Sequence, residues 1–166
     1  MSDAGAAVAS VDRVAGAVFG VLVAACFAAF FITQRLKHTP TPVQAFKLTP
    51  FFSPTPAGHI REERISFRLE RGDEVTVTIL DSAGNEVATL LRDLLVPRYK
   101  QLSLRWNGRL GRARGYRLVP APDGRPSILP NNRGGLAPAG EYRVRVSLRG
   151  RHRAVLSPRS FTLVRR

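Results

Sequence analysis

The distribution of apolar and charged residues divides the chain into two parts. Residues 14–33 form an unbroken run of twenty residues without a charge. A helix of that length, rising about 1.5 Å per residue, spans the roughly 30 Å hydrocarbon core of a bilayer. A soluble core helix of the same length normally keeps a polar face, and this run has none. The pattern predicts a transmembrane helix over residues 14–34, preceded by a short tail over residues 1–13.

Two other interpretations of the apolar run compete with an uncleaved anchor. A cleaved signal peptide has a shorter apolar region that ends at small residues, whereas Phe27, Phe30 and Phe31 continue the apolar character here. Residues 22–26, LVAAC, resemble a bacterial lipobox, in which Cys26 would carry the lipid. In lipoproteins a polar tether usually follows the acylated cysteine, but an apolar segment follows Cys26. We therefore favour the uncleaved anchor over both alternatives.

After the apolar run, the pattern changes to a tether and then to alternation. Residues 35–45 contain Pro40 and Pro42, whose spacing favours extended polyproline geometry. From residue 46 onward, apolar and polar residues alternate in short segments, which is typical of half-buried antiparallel strands. We predict seven strands, over residues 46–52, 64–69, 74–80, 86–91, 101–106, 141–149 and 160–164. The first of them contains Pro50 and is therefore predicted to be an edge strand.

The turns between the segments support an all-β domain over residues 46–166. Residues 81–85 are predicted to form a hairpin turn in which Gly84 takes a positive φ. Trp106 and Tyr142 lie on the inward phase of their strands and are predicted to be core residues. Short strands separated by turn signals, with no further helix, predict an antiparallel β-sandwich.

Five segments of this domain carry a resemblance to a known family. They are residues 52–54 (FSP), 65–67 (ISF), 75–84 (VTVTILDSAG), 106–109 (WNGR) and 138–146 (PAGEYRVRV). Together they resemble the FlgD-type Ig-like domain, the immunoglobulin-like module of the flagellar hook-capping protein and of many bacterial cell-surface proteins. In that family a Trp-Asp-Gly turn is followed by Pro-x-Gly-x-Tyr. The resemblance covers residues 46–164 and implies an Ig-like sandwich that works outside the cytoplasmic membrane.

The chain departs from the family pattern at two places. Many relatives carry Asn and Asp in the segment that follows Phe-Ser-Pro, but residues 55–58 offer no carboxylate, so we expect no calcium there. Relatives join the Trp turn to the Tyr strand with about ten residues, an ordinary loop length. Here residues 109–139 form a long basic loop, in which residues 122–124 are predicted to turn a small hairpin between residues 116–119 and 127–129.

The charge is strongly positive and increases toward the C-terminus. The chain has 26 Lys and Arg against 12 Asp and Glu, a net charge of +14. After residue 98 the only acidic residues are Asp123 and Glu141. Arginines of the long loop and of the outward face of residues 141–149 are predicted to bind polyanions, namely lipid head groups or acidic polymers. The candidates are Arg109, Arg112, Arg114, Arg117, Arg125, Arg133, Arg143 and Arg145. Nucleic acid is not expected, because Tyr116 alone offers a stacking surface.

No set of residues suggests catalysis. The three histidines, His38, His59 and His152, have no metal-ligand spacing. The adjacent Glu62 and Glu63 are predicted to be solvated, because neighbouring residues of a strand point to opposite faces and arginines flank the pair. We therefore predict no enzyme activity, no cofactor and no metal.

The leading functional prediction is a single-pass membrane protein that displays an Ig-like module as a structural or adaptor element at the bacterial cell envelope. The alternative is a binder of acidic polymers or lipid head groups. Partners would be the membrane and other envelope proteins. Arg13 before the span and Arg35 and Lys37 after it favour a cytoplasmic C-terminal domain by the positive-inside rule. The resemblance favours the outside, and we predict the outside because the charge difference is small.

Overall fold

The structure is a computed structural model that describes residues 4–37, 41–56, 58–121, 124 and 126–165. The chain divides into two compact units, Met1–Pro40 and Thr41–Arg166. We call them the helical unit and the β unit.

The helical unit contains one α-helix, α1, which spans Ala4–Lys37. The helix is longer than the predicted 14–34, and most of the predicted tail is helical. The high helix propensity of the alanines in residues 4–9 explains the extension. Residues 16–34 are long and apolar enough to cross a membrane, a property that signal sequences near an N-terminus share. The side chains of residues 16–33 are all exposed.

The β unit contains twelve strands among its described residues. They are β1 (Val43–Leu48), β2 (Phe51–Phe52), β3 (Glu63–Leu69), β4 (Asp73–Asp81), β5 (Glu86–Val96), β6 (Gln101–Trp106), β7 (Gly111–Arg112), β8 (Tyr116–Pro120), β9 (Pro126–Pro130), β10 (Gly140–Leu148), β11 (Arg153–Leu156) and β12 (Phe161–Leu163). The number exceeds the predicted seven because the additional strands have two to five residues. Two of these strands, β8 and β9, are the arms of the small hairpin predicted from its turn, and the other three carry too little alternation to be identified separately from sequence.

The strands form two sheets. The five-stranded sheet has the order β1-β3-β6-β9-β8, and the seven-stranded sheet has the order β2-β12-β10-β4-β5-β7, with β11 also paired to β10. The pairing is mixed rather than purely antiparallel as predicted. Three of the pairs, β2 with β12, β5 with β7 and β6 with β9, are parallel, and each includes a strand that the alternation pattern did not separate.

One hydrophobic core lies between the two sheets. Trp106 of the five-stranded sheet is 1% exposed and contacts three aromatic rings of the seven-stranded sheet. The ring centroids of Phe52 and Tyr142 each lie 5.6 Å from that of Trp106, and that of Phe161 lies 6.0 Å away. The indole Nε1 of Trp106 donates a hydrogen bond to the carbonyl of Arg109 at 2.8 Å. The predicted burial of Trp106 and Tyr142 is confirmed.

The first predicted strand, residues 46–52, is two strands in different sheets. β1 begins at Val43, inside the predicted tether. It is an edge strand of the five-stranded sheet, and β2 is an edge strand of the seven-stranded sheet. The chain crosses between the sheets at Thr49 and Pro50. Proline cannot donate to a ladder, so it suits this crossing point. The predicted edge position is therefore confirmed for both halves.

Part of the predicted long loop, residues 109–139, is built into the sheets, since twelve of its residues lie in β7, β8 and β9. β7 adds to the edge of the seven-stranded sheet, and β8 and β9 form the predicted hairpin, which extends the five-stranded sheet. Residues 122 and 123 of its turn lie outside the described residues. The returning chain is held by Asn132, which is buried and whose Nδ2 donates to the carbonyls of Thr89 at 3.1 Å and Gly111 at 2.6 Å. The predicted hairpin is therefore confirmed, and residues 111 and 112, which were predicted as loop, form a short strand.

Candidate ligand-binding surfaces

The structure does not gather the predicted arginines into one cluster. Arg143 and Arg145 lie on the outer face of the seven-stranded sheet. Arg112 lies on the same face, because the register joins Arg145, Thr78, Thr89 and Arg112 in one row across four strands. Arg117 lies on β8 at the edge of the other sheet. Arg125 lies outside the described residues.

Two of the candidates are engaged within the protein. The Nη2 of Arg145 pairs with the Glu86 Oε2 at 2.8 Å, and its Nε donates to the Thr78 hydroxyl at 3.2 Å. The Nη1 of Arg109 donates to the carbonyl of Gly134 at 3.1 Å. Within the described part of the chain, the other candidates are exposed and lack an acidic partner. These are Arg112, Arg114, Arg117, Arg133 and Arg143.

The outer face of the five-stranded sheet carries a cationic groove that the sequence analysis missed. Its floor is a row of three serines, because Ser66 pairs with Ser103 and the parallel pairing of β6 with β9 places Ser127 beside Ser103. Its walls include Lys47, which pairs with Ser66, and Arg64 and Arg105. The cavity has a volume of about 320 Å³. We call it the serine groove.

The electrostatics of the serine groove are unbalanced. Arg64 and Arg105 are direct cross-strand partners, an arrangement of like charges that destabilises a sheet. Arg105 is partly compensated, since its Nη1 lies 3.3 Å from the Glu62 Oε2 and its Nη2 donates to the carbonyl of Pro120 at 2.6 Å. Its Nε is buried and has no partner among the described residues. The alternation of Arg64, Ser66 and Arg68 in β3 was a sequence signal for an outward polar face, but the sequence does not specify the neighbouring strands.

A second, apolar cavity opens at one flank of the β unit. It has a volume of about 510 Å³ and lies between the end of β5 and the hairpin of β8 and β9. Leu95 is 69% exposed there, and Leu118 is 64% exposed. β7 pairs with β5 only at Ala88 and Thr89, so it leaves this part of the flank open. We call this surface the apolar flank, with the lining residues Leu94, Leu95, Val96, Tyr116, Leu118 and Ile128.

The apolar flank adjoins a free strand edge. β8 ends the order of the five-stranded sheet. The amide of Asn131 donates to the carbonyl of Gly115 at 2.8 Å, so the main chain at Gly115 faces β9. Because main-chain groups alternate along a strand, Tyr116 and Leu118 direct their amides and carbonyls away from β9.

The predicted solvation of Glu63 is wrong. Glu63 has no exposed surface and shares the inward phase of Ile65, opposite Trp106. Its Oε1 accepts a hydrogen bond from the amide of Thr49 at 2.8 Å, and its Oε2 has no partner in the described part of the chain. Burial raises the pKa of Glu63 to about 8, and the Thr49 hydrogen bond opposes that shift. Glu62, in contrast, lies at the surface beside Arg105.

Among the described residues, no group of three His, Cys, Asp or Glu is placed to hold a metal ion. Comparison with protein-family models and with curated protein sequences gave no match.

Proposed function

We propose that the chain is a single-pass membrane protein whose β unit serves as an Ig-like, non-enzymatic structural or adaptor module at the bacterial cell envelope. The observation that carries the proposal is the helix over residues 16–33, which has no charge and whose side chains are all exposed. Exposed apolar surface of this extent is unfavourable in water and favourable in hydrocarbon. A bilayer is the environment that suits it.

Three features support the Ig-like part of the proposal. Two sheets enclose one core with Trp106 at its centre. Gly108, in the turn that resembles the family's Trp-Asp-Gly, has a φ of 77°. The Tyr142 hydroxyl donates to the carbonyl of Pro138 at 2.6 Å, so the Pro-x-Gly-x-Tyr segment closes on itself as the tyrosine corner of Ig folds does.

An adaptor needs a surface for its partner, and the apolar flank suits an extended segment of another envelope protein. The free main-chain groups of Tyr116 and Leu118 would pair with such a segment, in the manner of β-strand addition. The exposed side chains of Leu95 and Leu118 would pack against its apolar residues.

Membrane extraction tests the anchor. We expect the full chain to stay in the membrane pellet after carbonate and high-salt washes and to dissolve only in detergent, because the uncharged helix has no electrostatic attachment to lose. The mature N-terminus, determined by mass spectrometry, should precede residue 14. Recovery in the soluble fraction, or an N-terminus at or after Cys26, would contradict the proposal.

A second candidate function is the binding of acidic polymers or lipid head groups. It is supported by the exposed arginines without acidic partners among the described residues and by the net charge of +14. Replacing Arg112, Arg114 and Arg117 with Gln should weaken binding to an anionic polymer and reduce its salt dependence. The melting temperature should not fall, because all three side chains are exposed. Absence of binding by the unmodified chain at moderate ionic strength would exclude this function.

A further inference from the structure

We infer that the serine groove binds a phosphorylated saccharide, as a free sugar phosphate or as one repeat of a sugar-phosphate polymer. The inference rests on the acidic-ligand candidate above, but it gives the ligand a different site from the predicted arginines and a specific chemistry. The groove lies on the five-stranded sheet, whereas Arg112, Arg143 and Arg145 lie on the other sheet.

The floor of the groove offers hydrogen bonds that the protein does not use. None of the hydroxyls of Ser66, Ser103 and Ser127 has a hydrogen-bond partner among the residues that the structure describes. Ser127 is only 3% exposed, so its hydroxyl has little access to bulk water except through the groove. Hydroxyls both donate and accept, which matches the hydroxyl groups of a sugar.

The walls offer positive charge that the protein only partly neutralises. Lys47, Arg64 and Arg105 line the groove, and of the described carboxylates only that of Glu62 pairs with one of them. Among the residues that the structure describes, three cations against one carboxylate leave two positive charges for a ligand. Guanidinium groups match the geometry of phosphate oxygens, and such charge-assisted hydrogen bonds are stronger than neutral ones.

The shape limits the size of the ligand. About 320 Å³ is at the lower end of the range for small-molecule sites. The groove therefore fits one phosphorylated sugar. Because it lies on an outer sheet face, neighbouring repeats of a polymer could continue along the surface on either side.

The test uses the full chain in a non-ionic detergent and measures dissociation constants by calorimetry. The probes are glucose 6-phosphate, glucose, inorganic phosphate and a phosphomannan. We expect the unmodified chain to bind glucose 6-phosphate and to bind glucose much more weakly. Tighter binding of the phosphomannan per repeat would identify the polymer as the source of the ligand, and tighter binding of glucose 6-phosphate would identify the free sugar.

Matched double variants separate the groove from general charge. Lys47→Gln with Arg64→Gln should weaken glucose 6-phosphate binding at least about tenfold, because two charge-assisted contacts are lost. Arg68→Gln with Arg153→Gln removes the same net charge outside the groove, at two exposed residues, and should change binding less than about twofold. Ser66→Ala with Ser103→Ala should weaken glucose 6-phosphate binding more than inorganic phosphate binding. Lys47 and Arg64 are exposed, so the melting temperatures should match that of the unmodified chain.

Three results would overturn the inference. Equal weakening by the two charge-removing variants would show that only net charge matters. Binding of an anionic polymer without any binding of glucose 6-phosphate would reject the groove and leave the acidic-ligand candidate intact. Binding of neither probe would reject both.

Discussion

Glu63 shows how the position of one residue on a strand determines its chemistry. Alternate residues of the strand that begins at Glu63 point inward, and Glu63 is one of them, so its carboxyl group lies in the core beside Trp106. A buried carboxylate with a single hydrogen bond is costly, so the neutral form is favoured. At pH 7 the group is therefore mostly protonated, given a pKa of about 8.

The stability of the β unit should decrease as the pH rises. The pKa of Glu63 is about 8 in the folded state, against an ordinary value of 4.5 in the unfolded state, so the folded state holds the proton more tightly. The contribution of protonated Glu63 to the free energy of unfolding is fully present below pH 4.5 and is lost as the pH rises through 8. The linkage amounts to as much as about 5 kcal/mol. Urea unfolding of the full chain, followed by Trp106 fluorescence, measures it.

Glu63→Gln should remove most of this pH dependence, because the amide stays neutral and its oxygen can still accept from Thr49. Glu62→Gln is the matched control, since Glu62 is at the surface and its loss should leave the slope between pH 4.5 and 8 unchanged. An unchanged slope in Glu63→Gln would contradict the assigned burial.

Trp106→Ala should unfold or strongly destabilise the β unit. The substitution removes the ring that contacts Phe52, Tyr142 and Phe161, and truncation of a large buried aromatic costs about 3–5 kcal/mol. Circular dichroism measures the loss of stability, because the substitution removes the only tryptophan of the chain and with it the fluorescence signal. Tyr116→Ala, at a half-exposed aromatic, is the control and should have a much smaller effect. A Trp106→Ala variant that melts within one or two degrees of the original chain would argue against the core assignment.

At the scale of elements, the hairpin of β8 and β9 is the part that most changes the predicted domain. It joins the five-stranded sheet through β9 and forms one side of the apolar flank. The inward side of β9 is covered, whereas Leu118 on β8 stays exposed. A strand edge with exposed apolar side chains is a typical site of pairing with another chain.

Photo-crosslinking in native membranes tests the use of the apolar flank. A photoreactive residue at Leu118 or Leu95 should crosslink to another envelope protein, because a segment paired with β8 would lie within reach of both. The same residue at Leu156, a 49% exposed leucine of β11 that does not line the flank, is the control. Leu118→Asp should abolish the crosslink from position 95 without lowering the melting temperature. Equal crosslinking from position 156 would show that crosslinking at the apolar flank is nonspecific and would contradict its use as a docking surface.

At the scale of the whole molecule, the proposed membrane anchor implies that the β unit lies on one side of a bilayer, and we predict the outer side. One positive charge precedes the span and two follow it closely, at Arg13, Arg35 and Lys37. This difference in positive charge favours a cytoplasmic β unit, but the difference is small, and a domain that follows the span can override it. The resemblance to FlgD-type modules favours the outside.

We expect Ser82→Cys, in a chain that also carries Cys26→Ala, to be labelled on intact cells by a membrane-impermeant thiol reagent. Ser82 is exposed in the turn between β4 and β5, and Cys26 is the only native cysteine. The original chain with Cys26→Ala alone is the control for background. Labelling that requires cell lysis would place the β unit in the cytoplasm.

The sequence by itself determined the properties that depend on neighbouring residues. A period of two predicted β3, β4, β6 and β10 with their inward faces, and the absence of charge predicted the apolar helix. The turn with Gly84 at a φ of 86° was also predicted, because positive φ strongly favours glycine.

Only the tertiary structure decided the properties that depend on distant residues. The serine groove joins Lys47, Ser66, Ser103 and Ser127, which come from four strands whose order the alternation does not contain. The parallel pairing of β9 with β6 joins the predicted hairpin to the five-stranded sheet, and the sequence did not indicate that pairing. Glu63 faces inward by its phase, but its pKa rises because the folded chain buries it completely. Local pattern sets which way a side chain points, and long-range packing sets what it meets there.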